Sequence, residues 1–130
     1  MLFALDTNTL SYSMRDEGGV AKRMRALGPS SLAVPTMVVF EARFGLLRAN
    51  RTRQLAAFES LTGAMRQLDF DAEAADHAAR IRLQLEAAGT PIGLADLLIA
   101  ATARRHGCTL VTHNTREFSR VSGLLLEDWY

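Results

Sequence analysis

The chain has 130 residues, 48% of them apolar, and 15 basic side chains against 14 acidic ones. That length suits one domain, residues 1–130, with a single core. The formal charge of +1 gives no global argument for nucleic acid, and no segment is biased enough for disorder. The basic residues are nearly all Arg, with Lys22 the sole Lys. Cys108 is the only cysteine, so no internal disulfide forms. The first apolar run ends at Asp6, too early and without the basic start of a signal peptide. No run approaches the roughly 18 apolar residues of a membrane helix. A cytoplasmic protein is expected.

Leu2 to Leu5 reads as a strand buried on both faces, because its apolar residues are continuous rather than alternating. Asp6 then stands at its carboxyl end, and Asn8 or Thr9 is placed to cap a following helix. On this stretch alone Asp6 reads equally well as a turn residue. Val20 to Leu27 has helical spacing and is stopped by Gly28-Pro29. Leu32 to Val34 is a second strand, ended by Pro35. Met37 to Ala49 reads as a helix apolar almost all round, hence buried. Its polar positions need a reason. Glu41 and Arg48 share a sector, and Gly45 lies one turn beyond Glu41, leaving space beside the carboxylate. A Glu41–Arg48 pair is the ordinary alternative, at a longer reach than an i,i+4 pair.

Arg51 to Met65 is an amphipathic helix with Leu55, Phe58, Leu61 and Thr62 inward. Gln67 to Phe70 is a third strand. Asp71 opens a long helix to Ala88, with Ala74, Ala78, Ile81, Leu85 and Ala88 on one stripe; Glu73, Asp76, His77, Arg80 and Gln84 are expected to face water. Gly89 ends it. Leu94 to His106 follows, with Leu94, Leu97, Leu98 and Ala101 inward, and Gly107 stops it. Thr109 to Thr112 is a fourth strand, Arg116 to Phe118 a helical turn, and Leu124 to Leu126 a last strand. Short apolar strands alternating with helices make this α/β, a three-layer sandwich around a mainly parallel sheet.

In such sheets ligands gather outside the carboxyl ends of the strands. Asp6 and the Thr112-x-Asn114 pair end there, and two helices bring Glu41 and Asp96. An acid in a first helical turn, as Asp96 is, gains about 0.3–1 kcal/mol from the macrodipole without any other role. Three carboxylates in one pocket repel one another unless a cation is present. Hard oxygen ligands suit Mg²⁺, which keeps several waters. No Cys or His cluster favours zinc. His77 reads as exposed, His106 as a helix end, and His113 as an outer contact rather than a ligand.

LDTN at Leu5–Asn8, FEARFGLLR at Phe40–Arg48, GTPIGLADLLIAATA at Gly89–Ala103 and VTHNTREFSRVSGLLLEDW at Val111–Trp129 resemble a PIN-domain ribonuclease. More narrowly, the chain resembles the VapC-type toxins of bacterial toxin–antitoxin pairs, over nearly its whole length. The resemblance implies a Mg²⁺-dependent acidic site, with Mn²⁺ as a substitute, and cleavage of a tRNA or an rRNA loop. It also implies a homodimer and a hetero-oligomer with a cognate VapB-type antitoxin. The family's first three acids fall on Asp6, Glu41 and Asp96, with Asp6 and Asp96 as metal ligands. At the fourth position many relatives have Asp where this chain has Asn114, which adds no charge; Glu117, one turn on, is the candidate for the missing carboxylate. Glu41 would orient or deprotonate water. Asn8, Thr112 and Asn114 would support metal or substrate, and Arg43, Arg48, Arg82 and Arg116 are candidate phosphate contacts. Two other readings stand beside this one. A haloacid-dehalogenase-like phosphatase would need a second Asp where Asn8 stands. A non-catalytic PIN-like binding module would be favoured by loss of any of the three acids, and all three are present.

Overall fold

The computed structural model describes residues 1–130. Strand β1 (Phe3–Leu5) leads into α1 (Thr7–Met14) and α2 (Val20–Leu27), and a 3-10 turn at Pro29–Ser31 precedes β2 (Leu32–Pro35). Helices α3 (Thr36–Arg48) and α4 (Thr52–Gly63) lead to β3 (Arg66–Leu68). Then come α5 (Ala72–Ala87), α6 (Leu94–Arg105), β4 (Thr109–Val111), α7 (Thr115–Phe118) and β5 (Leu126–Glu127). The strands form one sheet in the order β3-β2-β1-β4-β5, and every neighbouring pair is parallel. The strand order steps one way from β1 to β3 and the other way from β3 to β5, so the right-handed rule for parallel crossovers assigns α1–α4 to one face and α5–α7 to the other. Helices α1 with α2, α3 with α4, and α5 with α6 pack as pairs. The result is the expected three-layer α/β sandwich.

Connections leave β1 toward β2 but enter β4 from the far edge, so the chain changes direction between β1 and β4. That switch point is where open α/β sheets bind ligands. The strands are short, and β1, β2 and β4 are buried throughout: Ala4, Leu5, Leu110 and Val111 expose nothing. Small residues let α5 and α6 approach closely, with Ala74 and Ala78 facing a helix whose Ala100, Ala101 and Ala103 are buried.

Several expectations are corrected. The third strand is Arg66–Leu68, earlier than Gln67–Phe70, and the last is Leu126–Glu127. Helix α3 is not buried all round: Val38 and Val39 enter the core, while Phe40, Phe44 and Leu47 are 62%, 55% and 58% exposed. It covers the sheet with one face only, so apolar residues on the other face meet solvent. Leu94 is exposed because it opens α6 ahead of the packed turns, and Ala88 because it follows the end of α5. His77 does not simply face water: its Nδ1 accepts a hydrogen bond from Arg104 Nε at 2.9 Å.

Candidate active site

At the end of β1 the backbone of Asp6 is extended and its N–H donates to Val111 O of β4. Its side chain caps α1, with Oδ1 accepting from Thr9 N at 2.9 Å. Asp6, rather than Asn8 or Thr9, is thus the cap. The Thr9 hydroxyl donates to Val111 O at 3.1 Å, which ties α1 to the end of β4. Asp6 is only 5% exposed. The cap fixes its direction and leaves the second oxygen without a protein donor.

Glu41 lies on α3 and is half-buried. It does not pair with Arg48, whose guanidinium sits 5.4 Å from the Phe44 ring centre. Instead its Oε1 accepts a 2.6 Å hydrogen bond from Thr7 Oγ1. A side chain added at Gly45 would meet nothing within 4 Å, so the space beside Glu41 is open. A groove of about 250 Å³ runs here between α1 and α3, lined by Asn8, Ser11, Glu41 and Gly45 among others.

Asp96, in the first turn of α6, is half-buried. Burial pushes its carboxyl above the usual range, and the negative charges of Glu117, Asp6 and Glu41 push it further. All the charges that perturb Asp96 are acidic. No Arg, Lys or His forms an ion pair with Asp6, Glu41, Asp96 or Glu117. The fold has gathered four carboxylates from four elements at the switch point and supplied no cation of its own.

Glu117 reaches the group from α7. Its Oε2 accepts from Asn114 Nδ2 at 3.0 Å. Asn114 is fixed in turn, since its N–H donates to Thr112 Oγ1 at 3.0 Å and its carbonyl accepts from Phe118 N. Thr112 is fully buried, and its N–H donates to Glu127 O. Phe118, 1% exposed, anchors the short helix in the core.

The donor set is carboxylate oxygen without thiolate or imidazole, which suits a hard cation. No three acidic, His or Cys side chains close into a ready cage. A cation that keeps part of its water shell fits such a set better than zinc does. Histidines are not part of it. His106 Nε2 lies 3.2 Å from Asp69 O, and His113 Nδ1 pairs with Asp128 Oδ2 at 2.9 Å.

The candidate arginines divide. Arg43 pairs with Glu59 and sits over Phe58, and Arg82 pairs with Glu86 along α5, so both are engaged away from the acids. Arg116, exposed on α7 beside Glu117, forms no ion pair. Thr7 was not singled out by sequence reasoning, and Thr9 was singled out only as a helix cap, not for its bond to Val111 O. The available signal was a run of three hydroxyl or amide residues directly after the first strand's acid.

The family model for the PIN domain matches residues 3–124. A tRNA(fMet)-specific endonuclease VapC of Shigella flexneri is 35% identical over 128 residues, covering 98% of this chain and 97% of that protein. A chain in the crystal structure of DNA-bound VapBC from Salmonella typhimurium superposes with a TM-score of 0.91 at 34% identity, covering all of both chains. VapBC2 from Rickettsia felis, bound to a DNA fragment from its promoter, gives 0.89 at 28% identity, again over the full length of both chains.

Proposed function

Since this chain belongs to the PIN-domain family, and within it to the VapC ribonucleases, we propose that it cuts a structured RNA, a tRNA or an rRNA loop, by metal-assisted phosphodiester hydrolysis. The observation that carries the reading is the convergence of Asp6, Glu41, Asp96 and Glu117 with no basic partner, beside a carboxyl of Asp96 raised first by burial and then by those neighbouring charges. A cluster left so negative is built to receive a cation and, through it, a phosphate.

Divalent-metal dependence is general among PIN-domain nucleases. The ion proposed here is Mg²⁺, with Mn²⁺ able to substitute, held by Asp6 and Asp96. When bound it stabilises charge on the attacked phosphate and makes water a better nucleophile. The chain's residues do the rest. Glu41, steadied by the Thr7 hydroxyl, orients the attacking water and accepts its proton. Asn114 holds Glu117 at the edge of the cluster, and buried Thr112 holds Asn114. Arg116, free of an acidic partner, is the arginine placed to meet a substrate phosphate.

The partner proposed is a VapB-type antitoxin, in a hetero-oligomer built on a toxin homodimer. Phe40, Phe44 and Leu47 form an exposed apolar ridge on α3, of the kind that protein partners cover. No helix is long and apolar enough to cross a membrane, and the cytoplasm, where such RNAs are found, is the location proposed. Brief induction in a bacterial host, followed by mapping of new RNA 5′ ends, tests the reading. Discrete new ends with the wild type and none with Asp96→Asn are expected. Identical end maps for the two proteins would refute it.

A further inference from the structure

Beside the acidic centre stands an aromatic group that the hydrolysis does not use. His113 lies between Thr112 and Asn114, both part of the site's support. Its ring stacks on Tyr130 with centroids 4.3 Å apart and planes 21° apart. Tyr12 of α1 meets the Tyr130 ring edge-on at 4.8 Å and 70°. The stack is clamped at each end. His113 Nδ1 pairs with Asp128 Oδ2 at 2.9 Å. The Tyr130 hydroxyl donates to Glu17 Oε1 at 2.9 Å, and its N–H to Asp128 Oδ1 at 3.0 Å.

The His113 side chain remains 47% exposed although Tyr130 covers one of its faces. Tyr130 itself is 50% exposed. Tyr12 lies on α1, the helix that Asp6 caps, about 9 Å further along the axis, and His113 is the chain neighbour of Asn114, which holds Glu117. The stack therefore sits within a nucleotide or two of the acids, in a fixed orientation, with aromatic surface open to solvent.

We infer that the His113–Tyr130 stack is a base-binding platform that positions a nucleotide flanking the cleaved bond. The inference rests on the ribonuclease reading and adds how the substrate is held. Unpaired bases in RNA are read by stacking on aromatic side chains. Rings already locked in place lose little freedom when a base joins the pile. The platform grips any base by its face, and specificity then comes from which base can reach it.

The test uses the full chain and a short single-stranded oligoribonucleotide spanning the mapped cut, with 2-aminopurine placed at each flanking position in turn. In the inert Asp96→Asn background, binding quenches the fluorescence of 2-aminopurine at one flanking position. Adding His113→Ala removes the quench and weakens binding about tenfold. In the active protein His113→Ala raises KM by a similar factor and changes kcat less, while His113→Phe restores KM by restoring the stack. Tyr130→Leu, which leaves His113 without its backing ring, gives a smaller rise. If wild-type protein cuts the RNA and His113→Ala cuts it with unchanged KM, the platform is wrong and the ribonuclease reading stands. If His113→Phe is as weak as His113→Ala, the Asp128 pair rather than stacking matters, and the platform is again wrong. A wild type that neither binds nor cuts RNA removes the ribonuclease reading itself.

Discussion

The Asn114 amide donates to the Glu117 carboxylate at 3.0 Å, so the residue without charge aims the residue that carries it. Glu117 is also the foremost of the charges that raise Asp96. The two side chains therefore divide one task, position and charge. Glu117→Gln is expected to raise the metal concentration for half-maximal cleavage about tenfold, on the scale of residues that tune metal ligands. Asn114→Ala gives a smaller rise. Metal titrations of both variants check the ranking, and the reverse order would make Glu117 a surface residue.

Thr7 offers a second handle, because its hydroxyl is the only protein group bonded to Glu41. Thr7→Val keeps the shape and removes the donor. Cleavage at saturating metal falls roughly 10- to 100-fold, while stability changes by about 1 kcal/mol, the net value of one hydrogen bond. Thr7→Ser restores most of the rate. An active Thr7→Val would mean that Glu41 needs no steadying.

These handles differ in how far the sequence showed them. Parallel strands buried on both faces leave continuous apolar runs, so β1, β2 and β4 were readable, with Asp6 at a carboxyl end. Helix α3 was misread for a physical reason: a composition apolar all round distinguishes a buried helix from one that keeps a face for a partner only when the fold around it is known. The Thr7–Glu41 bond spans 34 positions and leaves no periodic trace. The fate of the arginines was equally hidden, because Arg43 and Arg82 find their acids through the geometry of helix faces. The proximity of Asp6, Glu41 and Asp96 was expected from the rim argument, whereas the Asn114–Glu117 bond required the geometry of α7.

The corrected picture of α3 is itself testable. Phe44 is more than half exposed, so Phe44→Ser in the isolated chain changes stability by less than about 0.5 kcal/mol. Phe118 is buried and anchors the helix that carries Glu117, so Phe118→Ala costs about 3–5 kcal/mol. Denaturant unfolding measures both. A large loss for Phe44→Ser would restore the buried-helix reading.

Asp96→Asn tests the central claim. The amide keeps the size of the carboxylate and removes one charge from a cluster that has no basic partner. RNA cleavage is abolished, and the metal-free variant is as stable as wild type or more so, by up to about 1 kcal/mol, the scale of one charge contact near a surface. The pH dependence has a definite sign. The folded-state pKa of Asp96 lies above its unfolded value, so the folded protein binds this proton more tightly. The stabilisation is fully present below the unfolded pKa and is lost as pH rises through the raised folded value. Metal-free wild type therefore gains more stability on mild acidification than Asp96→Asn does. Above that range, millimolar Mg²⁺ or Mn²⁺ raises the wild-type Tm by mass action, and the variant loses most of the rise. Melting curves across pH, with and without metal, read each of these beside a cleavage assay. Cleavage by Asp96→Asn, or its failure to fold, would make Asp96 a helix-start residue with a structural role only. Equal metal-induced shifts in the two proteins would place the cation elsewhere.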